Sequence, residues 1–342
     1  MRSTIGWDVG GAHLKAARAE AGRIVDVVQH PCPLWLGLDR LDEALAAARA
    51  GLGEADVHAV TMTGELADVF ASRADGVAAI SVLMARSAGG AAVRIYGGRA
   101  GFLAPEQVGD HIEDIASANW HASAALVARS APDALFADMG STTTDLVPIA
   151  QGKIAARGYS DAERLSYGEL VYTGLTRSFV MALCPQAPVG GVWTPLACEY
   201  FASTADVYRV LGELLDGVDQ LPAADGRDKT AAASCARLAR MVGRDAADAD
   251  TATWRGLAAW FAEQQLRRIV DSAMLVLSRA QLPASAPVVG AGIGRHVVAR
   301  LAARLRRPYR DFAGAVGLEA VRSEWLGHCA PAVAVALLAQ DA

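Results

Sequence analysis

An acid followed by glycines and hydrogen-bond donors occurs twice in the chain, roughly 130 residues apart. The first stretch is Ile5-Gly6-Trp7-Asp8-Val9-Gly10-Gly11-Ala12-His13-Leu14-Lys15, and the second is Phe136-Ala137-Asp138-Met139-Gly140-Ser141-Thr142-Thr143-Thr144-Asp145. Each reads as a strand ending in aspartate. Glycine lets backbone N–H groups approach an anion, and the acid before it can hold a metal ion that the anion shares. Two such loops in one chain suggest a phosphate or diphosphate gripped from both sides. A plain β-turn would explain Gly10 and Gly11, and strand propensity would explain the threonines. Neither accounts for the acids or for Lys15 on the returning strand, where it supplies a point charge.

The 342 residues exceed one ordinary domain, so two domains or one bilobal unit are expected. Hydrophobic residues make up 53% and charged residues 20%, values of an ordered globular chain. No run of uncharged apolar residues is long enough to span a bilayer, and Met1-Arg2-Ser3-Thr4 enters a strand directly, which suggests a cytoplasmic protein without a membrane partner. Five scattered cysteines without a CxxC pair read as reduced structural thiols. The net charge of −5 and the single short cluster Arg304-Leu305-Arg306-Arg307, which suits a helix end, argue against nucleic acid.

Thr4 to Asp8, Leu14 to Ala19 and Arg23 to Gln29 read as a three-stranded meander, followed by a helix from Leu41 to Ala50 with Asp39 as N-cap and a strand from Val57 to Met62. Glu106 to Ala131 carries helical spacing. A strand from Ala134 to Asp138 delivers the second loop, and a hairpin around Gln151-Gly152 pairs Asp145–Ile149 with Lys153–Arg157. The second half therefore begins as the first does, which suggests a duplicated α/β unit. Pro185 to Pro222, rich in proline, glycine and aromatics, reads as a pocket-shaping insertion. A long helix follows from Trp254 to Arg279, with Leu257, Phe261, Leu266, Ile269, Val270, Ala273, Met274 and Leu277 on one stripe. Pro287-Val288-Val289 then opens into Gly290-Ala291-Gly292-Ile293-Gly294. That third loop lacks dinucleotide spacing and reads equally as tight strand-to-helix packing or ligand contact.

The order of these three loops resembles the superfamily of acetate and sugar kinases, heat-shock chaperones and actin. More narrowly, the chain resembles the hydantoinase-A-like branch of one-carbon metabolism, the tetrahydromethanopterin-linked C1-transfer proteins. The likeness extends to Thr61-Met62-Thr63-Gly64-Glu65-Leu66, Ala118-Asn119-Trp120-His121-Ala122, Glu199-Tyr200-Phe201-Ala202-Ser203, Asp228-Lys229-Thr230 and Arg240-Met241-Val242-Gly243. It implies an α/β, two-domain actin-like (ribonuclease H-like) fold with an interdomain cleft. The lobes would be 1–130 and 131–324, with an insertion around 185–235, and 325–342 would pack back on the first lobe.

Relatives in that branch include a methanofuran-biosynthesis enzyme joining an aminomethylfuran diphosphate to a phenol. The resemblance implies the same condensation here: a tyrosine- or tyramine-type phenol displaces diphosphate and forms an aryl ether. Asp8 and Asp138 would hold Mg2+, while Gly10, Gly11, Lys15, Gly140, Ser141, Thr142, Thr143 and Lys229 would meet the diphosphate. A phenol of pKa near 10 benefits from a base, for which His121, Glu65 and Asp145 are candidates. His121 reads alternatively as a core histidine, Glu65 as a helix-start carboxylate and Asp228-Lys229 as a surface pair. Asn119, Trp120, Glu199 and Gly292 are expected in the substrate pocket, and Trp7, Trp120, Trp193 and Tyr200 offer either ring stacking or core packing. An ATP-dependent small-molecule kinase, a hydantoinase-like enzyme and a non-catalytic regulator are the alternative readings. Assembly as a homodimer stays open.

Overall fold

A computed structural model of the chain describes residues 3–318 and 323–342; Met1 and Arg2 of the expected strand-like start, and the residues just before the boundary at 324, lie outside that description. Strand Ser3–Val9 (β1) is buried along nearly all its length, so it reads as an apolar run without alternation. It turns through Gly10 and Gly11 into His13–Glu20 (β2), and Arg23–Pro31 (β3) completes the meander. Helix Asp39–Leu52 (α1) leads to Val57–Met62 (β4), and helix Arg73–Ser87 (α2) to Ala92–Tyr96 (β5) and Phe102–Leu103 (β6). The first sheet has the order β3-β2-β1-β4-β5-β6.

Helices Ile112–Ile115 (α3) and Asn119–Ala128 (α4) connect to the second sheet. There Ala134–Met139 (β7) turns into Thr144–Ala150 (β8) and Lys153–Ile154 (β9), and helix Asp161–Ser166 (α5) precedes Leu170–Val171 (β10). A small separate hairpin, Gln186–Val189 (β11) with Val192–Pro195 (β12), is followed by helices Thr204–Leu211 (α6), Ala231–Met241 (α7) and Thr251–Arg279 (α8). Val288–Ala291 (β13), Arg295–Arg304 (α9), Tyr309–Asp311 (β14), Phe312–Ala315 (α10), Ser323–His328 (α11) and Ala330–Leu338 (α12) complete the chain.

The second sheet repeats the plan of the first. β1 is antiparallel to β2 and parallel to β4, which is parallel to β5; β7 is antiparallel to β8 and parallel to β13, which is parallel to β14. This duplication is the actin-like, ribonuclease H-like α/β fold that the three loops imply. Registers match as well: Asp8 stands opposite Lys15, and Asp138 stands opposite Asp145. The same hairpin position therefore carries a base in one half and an acid in the other.

A shared core fills the space between the sheets. It joins α4 and α12 to residues of β2 and β4 on one side and β7 and β8 on the other. Alanine dominates both helices, which permits close approach. Gly6 of β1 shows how close, because a Cβ there would overlap the Ala332 carbonyl oxygen of α12. The outer face of each sheet has its own core, with α1 and α2 on the first sheet and α6 to α9 on the second.

Two elements differ from the sequence expectation. The helix expected over 106–131 is broken into a 3-10 turn at Pro105–Asp110, α3 and α4. The break before α4 is Ser117, whose φ of 54° costs an L-residue about 1 kcal/mol, offset here by hydrogen bonds from its hydroxyl to Glu65 and Asp161. On α8, Met274 is 57% exposed and Val276 lies on the buried stripe instead. At about 100° per residue, position 274 rotates off a stripe that runs through 269, 273 and 276. Among the described residues the cysteines are all unpaired, and no helix is long and apolar enough to cross a membrane.

Candidate active site

The C-terminal ends of β1 and β7 open into one cleft of about 590 Å3. Both loops line it. In the first, the Gly10 N–H donates to the His13 carbonyl at 3.0 Å, while the Gly11 and Ala12 carbonyls accept from Leu34 and Cys32. In the second, the Gly140 N–H donates to the Thr143 carbonyl at 2.9 Å, the Gly140 carbonyl accepts from Leu175, and the Ser141 carbonyl accepts from Thr176 and Arg177. Gly174 is pressed so tightly beneath this loop that a Cβ would overlap the Ser141 backbone. The carbonyls are thus engaged by the protein. The N–H groups of Gly11, Ala12, Ser141, Thr142 and Thr143 make no hydrogen bond among the described residues, so they are the amides open to an anion. This corrects the expectation for Gly10 and Gly140, which line the cleft but spend their amides closing the turns.

Lys15 lies between the two acids. Its Nζ is 3.3 Å from Asp8 Oδ2, and the Asn119 amide donates to the other Asp8 oxygen at 3.4 Å. Burial opposes the lysine's charge, but Asp8 and Asp138 outweigh it and raise its pKa above the usual value. Asp138 is pushed up to about 7, first by burial and then by the neighbouring Asp145 and Asp8 charges, with Lys15 opposing. Burial also raises Asp145 against the pull of Arg164, whose guanidinium lies 2.9 Å from its carboxylate. His13, beside Lys15 and Arg177, is pushed down to about 3, chiefly by burial, and is therefore a neutral imidazole at ordinary pH.

These donors suit a hard cation. Asp8 and Asp138 present oxygen ligands, and among the described residues no group of three His, Cys, Asp or Glu is placed to enclose an ion. Magnesium is commonly held by one or two carboxylates with water and phosphate oxygens supplying the rest, so the residues fit it.

Several expected residues lie elsewhere. His121 faces a separate cavity, with Nδ1 2.9 Å from the Tyr96 hydroxyl, and burial holds its pKa down to about 4. Glu65 is buried behind Ser117, whose hydroxyl donates to it at 2.8 Å, and does not line the cleft. Gly292 takes φ +83° and packs under Met139 and the Asp138 carboxylate, so its role there is close approach. Lys229 donates to the Asp219 carbonyl at 2.8 Å, and Glu199 is exposed; neither lines the cleft. No residue of 185–235 does. Trp7 is fully buried, with Nε1 donating to His58 at 2.9 Å, and Trp193 and Tyr200 pack against Trp260 and Phe179 away from the cleft. Trp120 alone of the four aromatics reaches the cleft lining.

The fold also brings in residues that no motif marks. Arg164, Asp161, Ser117 and Arg177 all line the cleft. Arg164 stacks 4.0 Å over the Trp120 ring, and Asp161 is paired with Arg73 at 3.1 Å. Beside Asp161 and Arg164 the sequence signal is the capping pair Ser160 and Glu163, which marks a helix start rather than a site.

Two duplicated hairpins facing a cleft of unspent amides, acids and one lysine define an actin-like α/β protein. Residues 56–317 match the Hydantoinase_A model, described as hydantoinase/oxoprolinase, and the chain belongs to that family. A relative from Methanocaldococcus jannaschii is 31% identical over 242 residues, 70% of this chain and 72% of that one. It is named (4-{4-[2-(gamma-L-glutamylamino)ethyl]phenoxymethyl}furan-2-yl)methanamine synthase. A protein of the same name from Methanococcus vannielii is 34% identical over 111 residues, 32% of this chain and 50% of that one. Among solved structures, nucleotide-free acetone carboxylase aligns with a TM-score of 0.60 at 11% identity over 97% of this chain and 70% of that chain, a likeness of fold alone.

Proposed function

We propose that the chain is a transferase that joins a phenol to the furfuryl carbon of an aminomethylfuran diphosphate, forming an aryl ether and releasing diphosphate in the synthesis of a methanofuran-type cofactor. The supporting name describes a phenoxymethyl group on a furan that also bears an aminomethyl group, the bond such a condensation makes. The observation that carries the reading is the pair of facing loops whose free amides and Lys15 converge on one cleft.

An electron-rich furan stabilises positive charge on its adjacent methylene, so the demanding task is to hold the charge that builds on the departing diphosphate. The amides of Gly11, Ala12 and Ser141 to Thr143, with the Lys15 ammonium, are preorganised donors for it. Asp8 and Asp138 would hold Mg2+, which when bound supplies further neutralisation of diphosphate oxygens. Of the three expected bases, Asp145 is the one in the cleft. It takes the phenol proton as the oxygen attacks carbon, and Arg164 keeps its carboxylate oriented. The leaving diphosphate carries away the electron pair of the broken C–O bond.

Purified protein with magnesium, an aminomethylfuran diphosphate and tyramine or γ-glutamyltyramine should yield the ether by mass spectrometry without ATP. Asp8→Asn and Asp138→Asn should each slow diphosphate release by at least about a hundredfold, equivalent to ~2.7 kcal/mol of barrier. An ether that forms only while ATP is consumed would replace this reading with the kinase-like one. Unchanged release in both variants would remove the two-acid clamp.

A further inference from the structure

The segment Asn119-Trp120-His121 divides its side chains between two cavities. Asn119 and Trp120 line the cleft, while Trp120 and His121 line a second cavity of about 350 Å3, together with Arg99, Lys153 and a floor that includes Ala125, Ala128 and Ala156. This volume falls within the ~300–1,000 Å3 of small-ligand pockets. No carboxylate lines it, although the chain as a whole is acidic.

Turns present the two cations. Arg99 sits in the 3-10 turn Gly98–Ala100, where Gly98 takes φ +51° against the Tyr159 hydroxyl, and its guanidinium stacks 4.5 Å from the Tyr159 ring centre. Lys153 follows Gly152, whose φ is +71°. Neither Arg99 nor Lys153 has an acidic partner within ion-pair distance among the described residues. Glu163, the carboxylate whose charge Arg99 feels, is already engaged by the N–H groups of Tyr159 and Ser160.

The tautomer of His121 follows from its partner. Tyr96 is buried, and its hydroxyl hydrogen has one acceptor among the described residues, His121 Nδ1 at 2.9 Å. A tyrosine that donates to Nδ1 leaves the imidazole proton on Nε2. His121 lines the cavity, and among the described residues its ring makes one hydrogen bond, through Nδ1, which leaves Nε2 for a ligand. A guanidinium, an ammonium and an imidazole N–H therefore border one pocket whose remaining walls are largely alanine and indole.

We propose that this second cavity, bounded by Arg99, His121 and Lys153, binds a small organic oxyanion, a carboxylate or a phosphate ester, separately from the diphosphate cleft. The charged group meets Arg99, Lys153 and the His121 Nε2–H, and the ligand's apolar body covers the alanine floor.

The test titrates the full chain calorimetrically with glutarate in one arm and phenyl phosphate in the other, following the His121 ring resonance by NMR. At least one anion should bind and shift that resonance, and Arg99→Ala with Lys153→Ala should weaken it at least about tenfold. Both substitutions are at exposed positions, and the melting temperature checks that the fold survives. The arm that binds identifies the oxyanion. Failure of both anions to bind, binding that leaves the His121 resonance unmoved, or equal binding by the double variant would overturn the proposal. Because the readout needs no turnover, a protein that binds the anion yet forms no ether would refute the transferase reading and leave this one standing.

Discussion

Arg164 is 1% exposed, holds Asp145 at 2.9 Å and covers the face of Trp120, so one side chain organises the acidic wall of the cleft. Removing one partner of such a buried pair leaves the other charge uncompensated, a loss of about 3–5 kcal/mol. Arg164→Met should lower unfolding stability by about that amount, and adding Asp145→Asn should restore part of it. Denaturant titration of the two singles and the double measures the coupling, and purely additive losses would show that the pair is not one unit. Sequence could not find Arg164, because an arginine in a short capped helix carries no motif and meets Asp145 only after the chain has folded. Lys15 was legible for the opposite reason: a tight hairpin fixes its register against Asp8 within seven residues. Glu65 and His121 are polar residues in conspicuous segments, but their side chains are directed by Ser117 and Tyr96, partners that spacing does not specify.

At the scale of elements, strands and hairpins were the most readable parts, since β1, β4, β7 and β13 are short apolar runs bounded by glycine and acid. The broken helix before α4 was not readable. Its interruption depends on a serine held at positive φ by contacts more than 40 residues away. The contact between β1 and α12 makes a sharper test of how elements position the site. Gly6→Ala would force the strand and helix apart, because the added methyl group meets the backbone of Ala332 and Ala336 rather than a flexible side chain. Overpacking of this kind typically costs about 1–3 kcal/mol. A fall in stability of that size with reduced diphosphate release is expected, whereas a neutral Gly6→Ala would mean that the two elements are not tightly seated.

Across the whole molecule, buried neutral histidines oppose the folded state as pH falls. His58 is 1% exposed, and burial pushes its pKa down to about 4 from 6.5; His121 and His328 are likewise pushed down to about 4 and about 3. The unfolded chain takes up these protons first as pH falls below about 6.5, so the histidines' contribution to stability declines from there toward pH 4. A drop of about 2.5 pK units at His58 alone corresponds to ~3 kcal/mol. Asp138 and Asp145, whose carboxyl pKa values burial raises in the folded state, act in the opposite sense over the same window, so the histidine share is read as a difference. His58→Gln, which keeps an acceptor for Trp7, should lose less melting temperature than the parent between pH 6.5 and 4. An equal slope in that variant would remove His58 from the account. The packing of Gly6 beneath Ala332 has one more consequence, for the order of events during synthesis. Strand β1 is completed by a helix more than 320 residues later, so the first lobe waits for its inner wall until that helix has been made. Closure at such separation is slow, and until it occurs the inner face of β1 is open to any chaperone or stray strand that reaches it first.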